Sequence, residues 1–406
     1  MGGFEKIAAL HRFTGTTMQC VREFLKQRRT SPTSRWAVGN EAGDLDSLAC
    51  AIAYAYLRST LSDEVWTPIL QTRRRDVALR PENGAALTAS GLSTDDIACI
   101  DEVEPTNDTV VALVDHNVAT RRVPQRVSAI IDHHVDSGAH LDASPRIVKR
   151  PEEAGSCASV LTCYFMPQLS GTFPRPLADL LLGAIGVDTI GWDDSAGKAQ
   201  EPDRVARDFL LPQSSLTPER LAQHIAELMA ARDDVSHLPT PEQIRRDYKE
   251  FVCPSASDMP WRIGAASVAL PLREWVGREK DTFASELEQF TQEHGLDALV
   301  SLSGYKDTEL RRELLFYAPS TNGADALPAA LAEHRGDGVA LEKLDVGLND
   351  VRLHAWRQLD ARVTRKQFAP ALQAVCARCP KTQSQHYGKA QSSGQDYTAP
   401  QGQSGP

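Results

Sequence analysis

No stretch of this chain comes near the ~18 consecutive apolar residues of a membrane span. Its longest apolar segment, 177–185, is interrupted by Asp179 and Gly183, so no membrane partner is expected. The N-terminus lacks the basic start, apolar core and small-residue cleavage site of a secretory signal. Lys6 breaks the myristoylation pattern that Gly2 would otherwise open. Arg22, Lys26, Arg28 and Arg29 hint at organelle import, but Glu5 and Glu23 oppose it. A cytoplasmic location is expected, with a mitochondrial fraction as the alternative. Clustered cysteines are also scarce: the eight are scattered singly except for Cys376-Ala377-Arg378-Cys379. That pair has no second pair at zinc spacing and no strand ahead of it, so it reads as the end of a last helix before Pro380, and the thiols as reduced. An excess of basic charge is missing too. A net charge of −10 argues against a dedicated nucleic-acid binder. It does not exclude a polyanionic substrate, because metal ions and a few local cations set the potential of a cleft. No internal repeat is visible.

At 406 residues the chain is long enough for two domains with their own cores. Apolar runs predict strands at 35–38, 65–69, 109–114 and 127–131, and helices at 46–57, 85–91, 155–165 and 177–185. The strand runs are apolar and β-branched, as in a parallel sheet covered on both faces. Alternating strands and helices give an α/β layered domain whose ligand lies at the carboxyl ends of the strands. The expected division is a helical lead-in over 1–33, a first α/β domain over 34–231, a linker and hinge over 232–241, a smaller α/β domain over 242–380 and a tail over 381–406. In the second domain we expect helices at 244–251, 282–294 and 328–333 and strands at 263–268, 298–302 and 314–317. The tail is rich in Gln, Ser and Gly and almost devoid of aliphatic residues, so it is expected to be disordered.

Four polar clusters follow these elements: Gly39-Asn40-Glu41-Ala42-Gly43-Asp44-Leu45-Asp46-Ser47, Val114-Asp115-His116-Asn117, Asp132-His133-His134 and Gly186-Val187-Asp188-Thr189. Asp44 and Asp46 can face one cavity only if the backbone bends between them, a freedom Gly43 supplies. A helix starting near Asp46 would aim its first amides at bound phosphate. Taken alone, Asp-Leu-Asp-Ser reads as a helix cap, and Asp115 could cap a loop. A carboxylate with two imidazoles after Ile130-Ile131 is harder to explain by packing. Together the clusters suit two divalent ions about 3.5–4 Å apart that share a carboxylate and hold a hydroxide for in-line attack on phosphorus.

In this order the clusters resemble the DHH phosphoesterase superfamily, from about residue 34 to about residue 372. The Gly39–Ser47 stretch is similar to the first motif of eukaryotic exopolyphosphatases and their prune-type relatives. Val363-Thr364-Arg365-Lys366-Gln367 resembles a phosphate-binding motif of the DHHA2 domain, and Asp247-Tyr248-Lys249 its Asp-x-Lys helix. Read without the resemblance, Arg365-Lys366 is a basic turn and Lys249 a solvated helix residue. The resemblance implies a parallel-sheet DHH domain, a smaller DHHA2 domain and an active site in the cleft between them. It implies Asp44 and Asp115 on one metal, and Asp46, Asp115, His133 and Asp188 on the other. Asp132 would orient His133 through its ring N–H. His134, Arg365, Lys366 and Lys249 would contact substrate phosphates. Ser156 would offer amides to phosphate or serve as a plain helix cap.

Asn40 stands where family II inorganic pyrophosphatases carry histidine. It replaces a nitrogen ligand by an amide oxygen or leaves the position to water, so the site hardens. Two Mg²⁺ or Mn²⁺ ions are expected, Co²⁺ being the further alternative, with Mg²⁺ at least as effective as Mn²⁺. The implied activity is that of a monomeric exopolyphosphatase releasing terminal orthophosphate from linear inorganic polyphosphate. His134 favours it, because prune-type relatives carry arginine there. A nucleotide phosphodiesterase, an inorganic pyrophosphatase and a non-enzymatic interaction protein on the same scaffold are the alternatives.

Overall fold

The computed structural model describes residues 17–120, 122–169, 173–235, 237–319, 324–336, 339–363 and 365–382, and of residues 17–20 and 365–367 the backbone alone. The expected lead-in is thus visible only from the helix Thr17–Thr30 onward. Residues 1–16, and the tail from 383, lie outside the described residues.

The first domain is built on strands β1 (Arg35–Val38), β2 (Thr67–Leu70), β3 (Ala98–Cys99), β4 (Val110–Val114), β5 (Val127–Asp132) and β6 (Arg146–Val148). Their order is β3-β2-β1-β4-β5-β6, and every neighbouring pair is parallel. Both faces are covered, which is why the strands read as continuous apolar runs. Ala37, Ala112, Val114, Ala129 and Ile131 face a helical core. Trp36, Val38, Leu113 and Ile130 face a second, smaller core. On the helical side, Leu45–Leu61 packs against Cys157–Phe165 and Arg175–Asp188. The strand order reverses between β1 and β4, and the crevice at such a reversal is where α/β sheets of this type hold ligands.

The second domain carries β7 (Tyr248–Cys253), β8 (Trp261–Val268), β9 (Ala298–Lys306), β10 (Leu310–Tyr317), β11 (Leu341–Lys343) and β12 (Leu353–Gln358), in the order β11-β12-β10-β9-β8-β7. Only β8 and β9 run parallel among these neighbours. Its two faces are covered by two apolar cores.

One expectation needs correction. The helix expected over 244–251 stops at Arg246 and the chain enters β7 at Tyr248, so Lys249 sits on a strand. Tyr248, Phe251 and Val252 suit a pleated surface, and β7 gains a six-residue antiparallel ladder with β8. That long-range pairing overrides the local helical pattern. The helix Pro218–Asp233 runs into the expected linker 232–241, where Val235 and Leu238 are buried in the same core as Ile244 and Trp275. No helix among the described residues is long and apolar enough to cross a membrane.

Candidate metal centre

The carboxyl ends of β1, β4 and β5 and the last turn of helix Arg175–Asp188 converge at the reversal point. After β1 the chain turns through Gly43, whose φ is +58°. A Cβ there would lie 2.0 Å from Thr72 Oγ1, so only glycine lets Asp44 and Asp46 follow one another into the crevice. Asp44 caps the helix Leu45–Leu61, with Oδ1 accepting the Ser47 amide at 3.0 Å. The capping geometry that Asp-Leu-Asp-Ser favours is therefore present alongside the clustering.

Asp115 ends β4 with φ 63°, a left-handed conformation that costs a non-glycine residue of order 1–3 kcal/mol and is typically held at functional sites. Asp115 is 1% exposed. Its Oδ2 accepts from Ser47 Oγ and Asn40 Nδ2, each at 2.6 Å. Its Oδ1 is buried with no hydrogen-bond donor among the described residues, 3.2 Å from His133 Nε2 and 3.6 Å from His134 Nδ1. His133 Nδ1 lies 3.4 Å from the Ala154 carbonyl, which fixes the ring proton there and turns Nε2 toward the carboxylates. An imidazole nitrogen 3.2 Å from a carboxylate oxygen is an arrangement that a cation held by both would satisfy.

Asp46 is held from another direction. Its Oδ1 accepts from Ser156 Oγ at 2.9 Å and the Ala158 amide at 2.8 Å, and its Oδ2 from the Cys157 amide at 2.7 Å. It thus occupies the N-terminus of helix Cys157–Phe165, where amides and helix dipole favour an anion. The candidate ligand atoms of Asp46, His133 and Asp188 all lie within 4.8 Å of one another, and so do those of Asp115, His133 and His134. Asp44 belongs to neither group. These residues fit a divalent cation: carboxylates and a tautomer-fixed imidazole converge on one buried point.

The crowding of like charge is visible in the acidities. Burial, and then the Asp115 charge, push Asp46 up to about 6. Burial and the neighbouring Asp46 and Asp44 raise Asp188 well above the ordinary carboxylate range. Asp44 rises through burial and Asp115, offset in part by Arg80 and Lys249. Burial works against charge on Asp115, yet the two imidazoles and the Ser47 hydroxyl hold it well below its ordinary value.

One assignment changes, and two follow one of their alternatives. Asp132 does not orient His133: its Oδ1 lies 2.7 Å from His134 Nδ1, while its Oδ2 accepts from Asn117 Nδ2 at 2.6 Å. Strand β5 turns His133 toward Ala154, leaving His134 as the neighbour of Asp132. Asn40 supports a candidate ligand: its Nδ2 donates to Asp115 Oδ2 at 2.6 Å, while its Oδ1 accepts the amides of Ala42 and Gly43 at 2.8 and 3.3 Å. Ser156 takes the helix-cap alternative, its Oγ accepting the Ala158 amide at 3.2 Å, while its hydroxyl and the Cys157 and Ala158 amides donate to Asp46. The Ala154 carbonyl carries no signal in the sequence, whereas Ser47 and Asn117 stand inside the first and second clusters without the roles the structure gives them.

Beside the centre lies a cavity of about 580 Å³ lined from both domains, with Arg73, Arg75, Arg80, Arg122, Arg245 and Lys249 in its wall. Arg365 and Lys366 open the helix Arg365–Cys376; their side chains lie outside what is described.

Residues 36–185 match the DHH family N-terminal domain and residues 226–375 match the DHHA2 domain. The chain therefore belongs to the proteins that join a DHH to a DHHA2 domain. Among curated relatives, a Schizosaccharomyces pombe protein named "Putative exopolyphosphatase" is 27% identical over 89% of this chain and 97% of its own length. The Homo sapiens protein named exopolyphosphatase PRUNE1 is 25% identical over 83% of this chain and 74% of its own. Among solved structures, a Methanococcus jannaschii "putative family II inorganic pyrophosphatase" superposes with a TM-score of 0.59 over 84% of this chain and 99% of its own, at 21% identity. That likeness shows the fold.

Proposed function

We propose that this protein is a metal-dependent phosphoanhydride hydrolase that removes terminal orthophosphate from linear inorganic polyphosphate. The observation that carries the reading is the pairing of a buried carboxylate–imidazole centre with a cavity whose wall holds six or more cationic side chains. In a chain of net charge −10, that local concentration of arginine favours a polyanion. The names of the curated relatives support the same substrate class.

Asp46, Asp115, His133 and Asp188 would hold one cation, and Asp44 with Asp115 the other. Such ions, Mg²⁺ or Mn²⁺, supply Lewis acidity and lower the pKa of water. Ser47 and Asn40 fix the Asp115 carboxylate, and the Ser156–Ala158 helix start fixes Asp46, so the ligands are preorganised. His134, oriented by the Asn117–Asp132 chain, would donate to an oxygen of the phosphate under attack. Lys249, together with Arg365 and Lys366, would neutralise charge on the transferred group and draw the active site into the cleft between the domains. The protein would act as a monomer.

The test is phosphate release from pyrophosphate, medium-length polyphosphate and a cyclic nucleotide, side by side with Mg²⁺. Polyphosphate should be cleaved fastest. Exclusive cleavage of the cyclic nucleotide would move the assignment to a phosphodiesterase, and inertness toward all three would leave an interaction protein on this scaffold.

A further inference from the structure

The segment Arg74–Leu79 bridges the two domains: Arg74 is bonded to Thr94, Asp101 and Glu102 of the first, while Asp76 and Leu79 are attached to the second. Leu79 is buried in the second domain's core with Ile244 and Trp275. Its carbonyl accepts from Arg246 Nε at 3.0 Å. Asp76 Oδ1 accepts from Arg245 Nε at 2.9 Å. Three attachments within the four residues Asp76–Leu79 tie the end of this short turn to the helix Thr240–Arg246.

Arg80, 7% exposed, reaches from the end of that turn in three directions. Its Nε donates to the Ala42 carbonyl at 2.6 Å, its Nη1 meets Glu82 Oε1 at 3.2 Å, and its Nη2 lies 3.7 Å from Asp247 Oδ1. Asn83 Nδ2 adds a bond to the Gly43 carbonyl at 2.8 Å. The two peptide units just before Asp44 are thereby held by residues 80 and 83. Asp247, at the other end of the Arg80 fork, is two residues from Lys249.

We propose that Arg80 is a positioning residue that ties the Ala42–Asp44 turn of the metal centre to Asp247 and hence to Lys249. Holding the cation and seating the phosphate chain are then set by one guanidinium. Only a planar fork with several donors can serve Ala42, Glu82 and Asp247 together; a lysine ammonium keeps the charge but loses that geometry. This inference rests on the metal-centre reading above.

The test is a double-mutant cycle of Arg80→Lys and Asp247→Asn, read as Mn²⁺ affinity from the free-ion EPR signal without substrate, with thermal melting as the check on folding. Arg80→Lys preserves the buried charge opposite Glu82, and Asp247→Asn is nearly isosteric, so at least one of the two should fold. Each should weaken Mn²⁺ binding roughly tenfold, the scale seen when groups that orient ligands are altered. The double variant should be little worse than the weaker single one. KM for tripolyphosphate should rise in Asp247→Asn, because Lys249 loses its register with the metal centre. A folded Arg80→Lys protein with wild-type Mn²⁺ affinity would overturn the proposal, as would effects that multiply in the double variant. Failure of the wild-type protein itself to bind Mn²⁺ would instead overturn the metal-centre reading beneath it.

Discussion

Asp115 Oδ1 lies 3.2 Å from His133 Nε2, while the other oxygen of the same carboxylate is held by Ser47 and Asn40 at 2.6 Å each. One side of the carboxylate is anchored by donors and the other faces an imidazole nitrogen. Asp115→Asn keeps the shape and the tolerance of asparagine for positive φ. It exchanges one acceptor oxygen for donor hydrogens, so a donor must face either the Ser47–Asn40 side or His133. Phosphate release should fall about 10³-fold or more, the scale of losing a group that acts in the transition state, with folding retained by circular dichroism. Activity within tenfold of wild type would remove Asp115 from the metal centre.

The acidic crowding predicts a pH dependence in the metal-free protein. Asp46 is pushed up to about 6 from 3.8, and Asp188 is raised as well. A raised folded value means that protonation favours the fold: the cost is complete above pH 6 and is relieved as pH falls toward 4. Asp46 alone contributes on the order of 3 kcal/mol across that window. In EDTA the melting temperature should therefore rise between pH 8 and pH 5. Saturating Mg²⁺ should raise it at pH 8 and flatten the slope. A melting temperature that falls steadily from pH 8 to pH 5 in EDTA would contradict the crowding.

Ser156 is expected to act through Asp46. Ser156→Ala removes one of the four described donors to that carboxylate, the others being the Cys157 and Ala158 amides and the Cys50 thiol. Metal affinity should drop roughly tenfold, measured by Mg²⁺ titration of activity. KM for polyphosphate at saturating Mg²⁺ should stay unchanged; a rise in KM alone would return Ser156 to the substrate.

Asn40 should set the metal preference. With His133 the one imidazole expected on either ion, Mg²⁺ should support turnover at least as well as Mn²⁺. Asn40→His should raise the Mn²⁺ to Mg²⁺ activity ratio. A wild-type ratio of roughly ten or more in favour of Mn²⁺ would refute this reading.

Strands β1, β4 and β5 were legible because burial on both faces writes itself into consecutive apolar, β-branched residues. The same runs placed the four polar clusters at element ends, and the positive φ of Gly43 is what a carboxylate pair in so tight a turn demands. The two-residue β3 and three-residue β6 were invisible, being too short to show a period. Lys249 was misassigned to a helix because its strand is set by pairing with β8, not by local pattern.

The sequence by itself determined which side chains can carry the chemistry and that they follow buried strands, since those properties depend on neighbours along the chain. Tertiary structure alone decided who holds whom. Asp46 is gripped by Ser156–Ala158 from 110 to 112 residues away, Asp132 pairs with His134 rather than His133, and Asn40 presents its nitrogen to Asp115. Such partnerships turn on strand register, helix placement and ring orientation, and no periodicity encodes them.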